Sequence, residues 1–474
     1  MAAKEDDRSA AAQREQAQRD PLLLVHRLDH GEYSIAGKYN PASIKDQMVR
    51  AVGIVDRALR YGIIGPNKRL LVVGAGAAGV SAALRAADSR TDTTLVERAD
   101  RPFGRQAKSS RIVDPTEYDW PHPEWNQGAI PDLPLTICRK PASELVNLWR
   151  EAFDKQREFL FVRLKTQFIR SLGDGDDMIA LLRGELDRFT MRELSGDKDG
   201  GYWGRFHMVL NCTGPGEESV TVAEEHQDRA HASYRFWEND QLEVDSFGLP
   251  PGRSSTPSVL ISGGGDGSLQ DFLRIAFPKQ TPSDLYLGIP EAVRAEVERR
   301  IYAAEDSFRR AWVWSENAEL DCQVLRQLHQ EHLAVAKMVA GKGRFLPEFN
   351  PDRMGKVTVI HKCDHFSVCY PFNHFLACLA HEYMGGARFR PHHGLSEVVS
   401  ADAAKHQCQG KAAECWEHPH RVEFVKSHCG DPNPAKLPGS EVYDLVILRH
   451  GPKAGTPKLS RQMLPYRLPW KNAK

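Results

Sequence analysis

Neither sign of charge prevails in this chain of 474 residues: Lys+Arg and Asp+Glu number 63 each. The global field that would draw in nucleic acid or an anionic membrane surface is therefore missing. No apolar run approaches the roughly 20 residues that span a bilayer, so neither nucleic acid nor membrane is expected as a partner. The chain has no C-x-x-C or C-x₄-C pair, which excludes dithiol redox chemistry of the usual kind. A G-x-S-x-G elbow and a Walker loop are also absent. Nine scattered cysteines, an odd number, read as free thiols in a reducing compartment, and the protein as cytosolic.

Metal-ligand spacing is equally scarce. The stretch "VTVIHKCDHFSVCYPFNHFLACLAHE" (357–382) and the later Cys408, Cys415, His418, His420, His428 and Cys429 lack the short C-x₂₋₄-C pairs of structural zinc, so no metal site is expected. The first stretch reads instead as a strand (Val357 to His361), a loop and a helix burying Phe372, Phe375, Leu376 and Leu379. Asn373 or His374 would then face a cleft.

What is present suits a globular protein: 41% hydrophobic and 27% charged residues. The length exceeds one ordinary core, so two domains are expected. The opening "MAAKEDDRSAAAQREQAQRD" is too charged for a secretory signal and too acidic for a transit peptide. Residues 1–40 and 453–474 are read as tails.

Ser43 and Asp46 resemble a capping box, and Ile44, Met48, Ala51, Val52, Val55 and Leu59 recur at helical spacing. Then "LLVVGAGAAGVSAAL" runs a buried strand into Gly74, Gly76 and Gly79, the three positions of G-x-G-x-x-G. The first glycine permits a tight turn, the second a close approach to a pyrophosphate, and the third close helix–strand packing. Ala78, Ala82, Ala83 and Ala86 keep the next helix slim, with its N-terminus turned to the phosphates. The following strand, "TTLVE", ends on Glu97, about 20 residues past the loop, where an acid can accept ribose hydroxyls and repel a 2′-phosphate.

This part resembles the FAD-binding half of the two-dinucleotide-binding-domain flavoproteins, among them thioredoxin-reductase-like and flavin-monooxygenase-like proteins. "DDMIALLRG", "RFTMREL" and "GYWGRFHMVLNCTGPG" read as a three-stranded meander feeding a last buried strand, Met208 to Asn211. In the family such a strand ends in a Thr-Gly step at the cofactor, here Thr213-Gly214. The resemblance implies an α/β fold of two Rossmann-like, glutathione-reductase-type domains, FAD at residues 41–216, and a cofactor set of Gly74, Gly76, Ala77, Ala78, Gly79, Glu97, Arg98, Arg105, Thr213 and Gly214. Two family features have no counterpart. The Gly-Gly pair after the ribose acid is replaced by "RPFGRQ", with Gly104 before Arg105, and the C-terminal Gly-Asp is missing. NAD remains the competitor at this loop.

A second loop, "VLISGGGDGSLQDF", places Gly263, Gly265, Asp266 and Ser268 in a G-x-G-x-x-small pattern similar to the family's NADPH-holding "GGGDSA". NAD(P)H is expected there, in a domain spanning 217–452; the alternative is a tight strand–helix turn without ligand. "DLYLG" (284–288) is the next candidate strand and ends without an acid, leaving NAD and NADP unresolved. "FHMVLNCTGP" (206–215) and "YDLVILRHGP" (443–452) echo one another, as two closing strands of one plan would. Between them, residues 289–342 read as a two-helix insertion: a lid, a substrate wall or a homodimer contact.

The aromatic, proline-rich "SSRIVDPTEYDWPHPEW" (109–125) has Pro115, Pro121 and Pro123 to exclude regular structure. It offers Tyr118, Asp119 and His122 for proton transfer, or simply buries Trp120 and Trp125. Arg449 and His450, ending the last strand, are the other polar candidates for the cleft. The expected activity is an oxidoreductase in which NAD(P)H reduces bound flavin, which then reduces O₂ or a small organic acceptor. The alternatives are a nucleotide-binding regulatory protein without turnover and an oxidase independent of NAD(P)H.

Overall fold

The computed structural model describes residues 15–36, 43–122, 132–174, 177–184, 192–193, 202–214, 216, 218–222, 231–238, 242, 258–277, 280–311, 318–347, 357–384, 388–400, 419–427 and 435–451. These divide into two compact units: 15–115 with 132–216, and 116–122 with 218–451. Trp125, Cys408, Cys415, His418, His428, Cys429 and residues 453–474 lie outside the described residues. Among the described residues no helix is long and apolar enough to cross a membrane.

In the first unit, helix α1 (Pro21–His26) leads into β1 (Arg27–Asp29) and β2 (Glu32–Ser34). The reading of residues 1–40 as a tail is corrected here. Asp20 caps α1 by accepting Leu22 and Leu23 N–H groups, Leu23 and Val25 are 1% exposed, and β2 joins the sheet in parallel with a strand near residue 210. Burial of those apolar residues outweighs the polar composition around them. Helix α2 (Ile44–Arg60) starts with the capping box of Ser43 and Asp46 and buries Met48, Ala51, Val52 and Val55.

Strand β3 (Arg69–Val73), helix α3 (Ala77–Asp88) and strand β4 (Asp92–Val96) form the βαβ unit, followed by α4 (Ala142–Gln156) and β5 (Leu160–Arg163). The run Leu70 to Val73 is buried on both faces, as a central parallel strand requires. Strands β6 (Thr166–Asp174), β7 (Asp177–Gly184) and β8 (Tyr202–Phe206) with Arg192–Glu193 make a four-stranded antiparallel sheet. The expected meander is thus one strand larger, since β6 was not recognised in the sequence. Alternation in β7 turns Met178, Ala180 and Leu182 onto Leu71, Val73 and Val96 of the parallel sheet. The chain then returns as β9 (Met208–Asn211), between β2 and β3, giving the order β1-β2-β9-β3-β4-β5.

The second unit repeats the plan with a detour. β10 (Val259–Ser262) enters α5 (Asp266–Ala276), then α6 (Pro282–Leu287), α7 (Glu291–Ala311) and α8 (Ala318–Lys342). Only then does β11 (Val357–His361) pair with β10, followed by α9 (Pro371–Tyr383) and β12 (Phe389–Pro391). The expected strand at 284–288 is therefore corrected to helix. Thr281 caps it through the Asp284 N–H, Asp284 returns the bond, and Pro282 occupies the first turn. Short apolar runs do not distinguish strand from helix, and these start signals decide. An antiparallel sheet of β13 (His393–Ser400), β14 (His420–Lys426) and β15 (Ala435–Tyr443) precedes the closing strand β16 (Leu445–Leu448). The parallel order is β12-β11-β10-β16.

The region from Pro115 also differs from expectation. Pro115–Asp119 is a short helix, because proline at a helix start loses no hydrogen bond. Residues 116–122 belong with the second unit, where Trp120 stacks with Phe375 at 5.8 Å and meets Phe372 edge-on at 5.4 Å.

The glycines of the two loops respond differently to an added methyl group. At Gly74 (φ +98°) a Cβ would lie 2.9 Å from the Cys212 carbonyl oxygen, and at Gly263 (φ +145°) 2.4 Å from that of Arg449. At Gly76 and Gly265 it would meet nothing within 4 Å. Gly74→Ala and Gly263→Ala should each destabilise by about 1–3 kcal/mol or more, combining overpacking with left-handed strain. Gly76→Ala and Gly265→Ala should stay within about 0.5 kcal/mol of the parent. Thermal midpoints of the four variants check this; equal losses at all four would contradict the assignment.

Candidate functional site

The first loop is assembled by three separate constraints. Gly74 donates its N–H to Val96 O at 2.8 Å, while the exit from β9 crosses its Cα side. Gly79 is compulsory for a different reason: its Cβ would sit 1.9 Å from Gly74 O. Gly76 is the residue before α3, with no side-chain cap on the helix, and it faces open space. Ala77 and Ala78, in the first turn, complete a helix start whose uncapped N–H groups suit an anion.

Glu97 follows β4. Its Oε2 accepts the Ala75 N–H at 2.7 Å and its Oε1 the Ala99 N–H at 2.9 Å. The carboxylate is thereby held beside the glycine loop, with lone pairs left to accept further donors. Thr213 donates both its N–H and its hydroxyl to Asn211 Oδ1, at 3.1 and 2.8 Å, and Gly214 takes φ +83°. A Cβ at Gly214 would lie 3.8 Å from Arg105 Nη1, so Arg105 and the Thr-Gly step come together; Arg98 is exposed. Sequence reasoning missed Phe103. Its N–H donates to Ala75 O at 2.9 Å, at φ +59°, and its buried ring packs on Trp149 and Phe153. A lone aromatic in the polar stretch "RPFGRQ" was the available signal.

The second loop matches the first in register. Gly263 donates to Ile360 O at 3.0 Å as Gly74 does to Val96 O, and Gly265 precedes α5, again without a side-chain cap. Ser268, fully buried, stands where Gly79 does. Since Ser262 pairs with Ile360 as Val73 pairs with Val96, the counterpart of Glu97 is His361, followed by Lys362. Burial holds His361 down at about 4. Asp266 accepts the Tyr370 N–H at 2.8 Å and Asn373 Nδ2–H at 3.0 Å, and Gly264 O accepts the Ser367 N–H at 2.8 Å. The loop is thus tied to the start of α9. Asn373 serves that tie, and His374 turns into the core instead.

The five polar candidates, Tyr118, Asp119, His122, Arg449 and His450, all fall in the second unit. Tyr118 is buried with its ring 5.1 Å from that of Tyr370; His122 is exposed, 5.9 Å from the Tyr302 ring. Asp119 ends the short helix. His450 Nε2 lies 2.8 Å from Ser262 Oγ. Arg449 is an internal tie: its Nε donates to Asp271 Oδ2 at 2.7 Å and its Nη1 to Leu448 O at 3.1 Å, with the two side chains 4% and 0% exposed. Arg274 adds a second cation on Asp271 at 3.1 Å.

The cysteines need one correction. Cys138, Cys212, Cys369 and Cys378 are free thiols, but Cys322 and Cys363 are disulfide-bonded. They lie 41 positions apart in sequence, so no short pairing motif could reveal them. Also unforeseen is a histidine cluster on α8 and α9. His329 Nδ1 lies 2.8 Å from His374 Nε2, and the His332 ring stacks on that of His374 at 3.9 Å. Burial pulls His329 down to about 3 and His374 well below the ordinary histidine range.

A parallel sheet opened by a glycine loop, with an acid after the second strand and a meander before the closing strand, defines a Rossmann-type dinucleotide-binding domain. Residues 69–197 match the family model of FAD dependent oxidoreductases, and that segment is an FAD-dependent oxidoreductase domain. FAD is the cofactor of that domain. No curated protein matches the chain. Among solved structures, the bacillithiol disulfide reductase Bdr of Bacillus cereus is similar at 11% identity and TM-score 0.38, covering 81% of this chain and 78% of that one. The thioredoxin reductase of T. acidophilum is similar at 13% identity and TM-score 0.35, with the same coverage. The ornithine hydroxylase of Pseudomonas aeruginosa follows at 11% identity and TM-score 0.32, covering 84% of each chain.

Removing one member of a buried ion pair leaves the other charge unpaired, which costs about 3–5 kcal/mol. Asp271→Asn should therefore lower the thermal midpoint sharply, and Arg449→Met nearly as much. A variant of Arg449 that melts like the parent yet loses turnover would instead make it a group of the reaction.

Proposed function

We propose that the chain is an NADPH-dependent flavin oxidoreductase, taking hydride from NADPH held at the second loop and delivering the electrons to O₂ or a small organic acceptor. The observation that carries this reading is the duplication of one arrangement. In each unit the first glycine packs against the closing strand's exit, while the second, Gly76 or Gly265, faces open space before an uncapped helix. A pyrophosphate needs that combination of a rigid turn and an open approach to backbone N–H groups.

The cofactors supply the redox chemistry. The protein's part is to hold and select them. Gly76, Ala77 and Ala78 would receive the FAD pyrophosphate, and Glu97 would accept adenosine ribose hydroxyls while repelling a 2′-phosphate. At the second loop no acid stands in that place. His361 ends β11 and the exposed Lys362 follows it, a cation that favours a phosphorylated ribose. Small-molecule substrate, cytosolic location and self-association belong to the same reading.

Gly76→Val should give a folded, colourless protein, since the branched side chain fills only the pyrophosphate's space. Gly265→Leu should keep flavin absorbance but lose its anaerobic bleaching by NADPH. Parent protein should be reduced faster by NADPH than by NADH, and Lys362→Glu should reverse or erase that preference. If neither nucleotide bleaches the parent, or Gly265→Leu is reduced at the parent's rate, the second loop is structural and the reading fails.

A further inference from the structure

The second unit buries a set of metal-ligating side chains that the nucleotide sites leave unused. His374 and Cys378 are four residues apart on α9 and share one face. His329 comes from α8, across from them. One ring nitrogen from each histidine and the Cys378 sulfur all lie within 4.8 Å of one another, and their residues are 8%, 3% and 1% exposed. Phe366 walls the group, its ring 4.8 Å from that of His329 and 5.2 Å from that of His374. Beside it, His332 Nε2 lies 3.1 Å from Glu305 Oε1, and His332 Nδ1 is buried with no hydrogen-bond partner.

We infer that His329, His374 and Cys378 form a buried site for a zinc-class divalent ion that clamps the helical insertion to α9. Buried polar groups normally satisfy one another, yet here only one short nitrogen–nitrogen contact joins the two imidazoles, and an unpartnered nitrogen lies alongside. Two imidazoles and a thiolate are borderline-soft donors, the set that selects zinc over calcium or magnesium. Zinc–nitrogen bonds of about 2.0–2.1 Å in a tetrahedral field hold two nitrogens roughly 3.3 Å apart. The 2.8 Å pair therefore has to open by roughly 0.5 Å to admit the ion. Binding converts the Cys378 thiol to a metal-bound thiolate and releases its proton to solvent. The clamp also has a bearing on the second loop, because the neighbouring Asn373 holds Asp266. The ligands sit on separate helices, 45 positions apart between His329 and His374, which is why the short-pair pattern was silent.

The test is elemental analysis of the full, flavin-loaded protein purified from zinc-supplemented medium. Stoichiometric zinc is expected, with a lower thermal midpoint after chelation and its recovery on adding zinc. Cys378→Ser and His329→Gln should lose the zinc, and a far-ultraviolet circular dichroism spectrum matching the parent's shows that these variants fold. Cobalt exchanged into the parent should show thiolate-to-cobalt charge-transfer absorption, absent in Cys378→Ser and kept in Cys322→Ser. Metal-free protein whose midpoint ignores zinc would overturn the proposal. So would zinc that survives Cys378→Ser but leaves with Cys322→Ser, since the ion would then belong to Cys322, Cys363 and His365 with the two cysteines reduced.

Discussion

The backbone crossing at the first glycine of each loop is the contact on which both units are built. The chain leaving β9 passes so close to Gly74 that a Cβ there would meet Cys212 O at 2.9 Å, and the chain leaving β16 does the same at Gly263 with Arg449. Any side chain would push the closing strand away from the loop strand and open the parallel sheet at the end that carries the glycine loop. The left-handed backbone at both glycines removes the remaining alternatives. Once this crossing is made, the second glycine of each loop is left pointing outward and the helix behind it begins without a cap. The open space at Gly76 and Gly265 is thus a consequence of the packing.

The two units solve the rest of the problem differently. In the first, small residues do the work: Gly79 lets α3 lie directly on the turn, and Glu97 secures the loop from below through the Ala75 N–H. In the second, Ser268 replaces that glycine, and polar ties take over. Asp266 holds the start of α9, and Asp271 with Arg449 and Arg274 joins α5 to the closing strand inside the core. Buried charge of this kind adds little net stability but penalises alternatives that would leave it unpaired. A unit with four described helices between β10 and β11 has more alternatives to exclude.

The first glycine loop was legible from the sequence because every requirement there is local: a five-residue apolar strand, three glycines at fixed spacing, an alanine-rich helix and a terminal acid. The capping box at Ser43 was legible for the same reason, being made by residues three apart. Local rules also misled. "DLYLG" has strand composition, yet the Thr281–Asp284 box and Pro282 start a helix there. Residues 20–34 have a polar setting, but Leu23 and Val25 find a core. In both cases the deciding energy came from a cap or a burial that composition does not weigh.

By itself, then, the sequence determined the two glycine loops, the acid that follows the second strand of the first, and the paired closing strands, since each is written in residues a few positions apart. Only the tertiary structure decided which strand follows the second loop, and so gave His361 and Lys362 the position there that Glu97 holds at the first loop. It alone turned Arg449 inward, brought Phe103 onto the first loop, and gathered His329, His374 and Cys378 from two helices. Those contacts join residues tens to hundreds of positions apart, and their geometry exists only after the sheets and helices have packed.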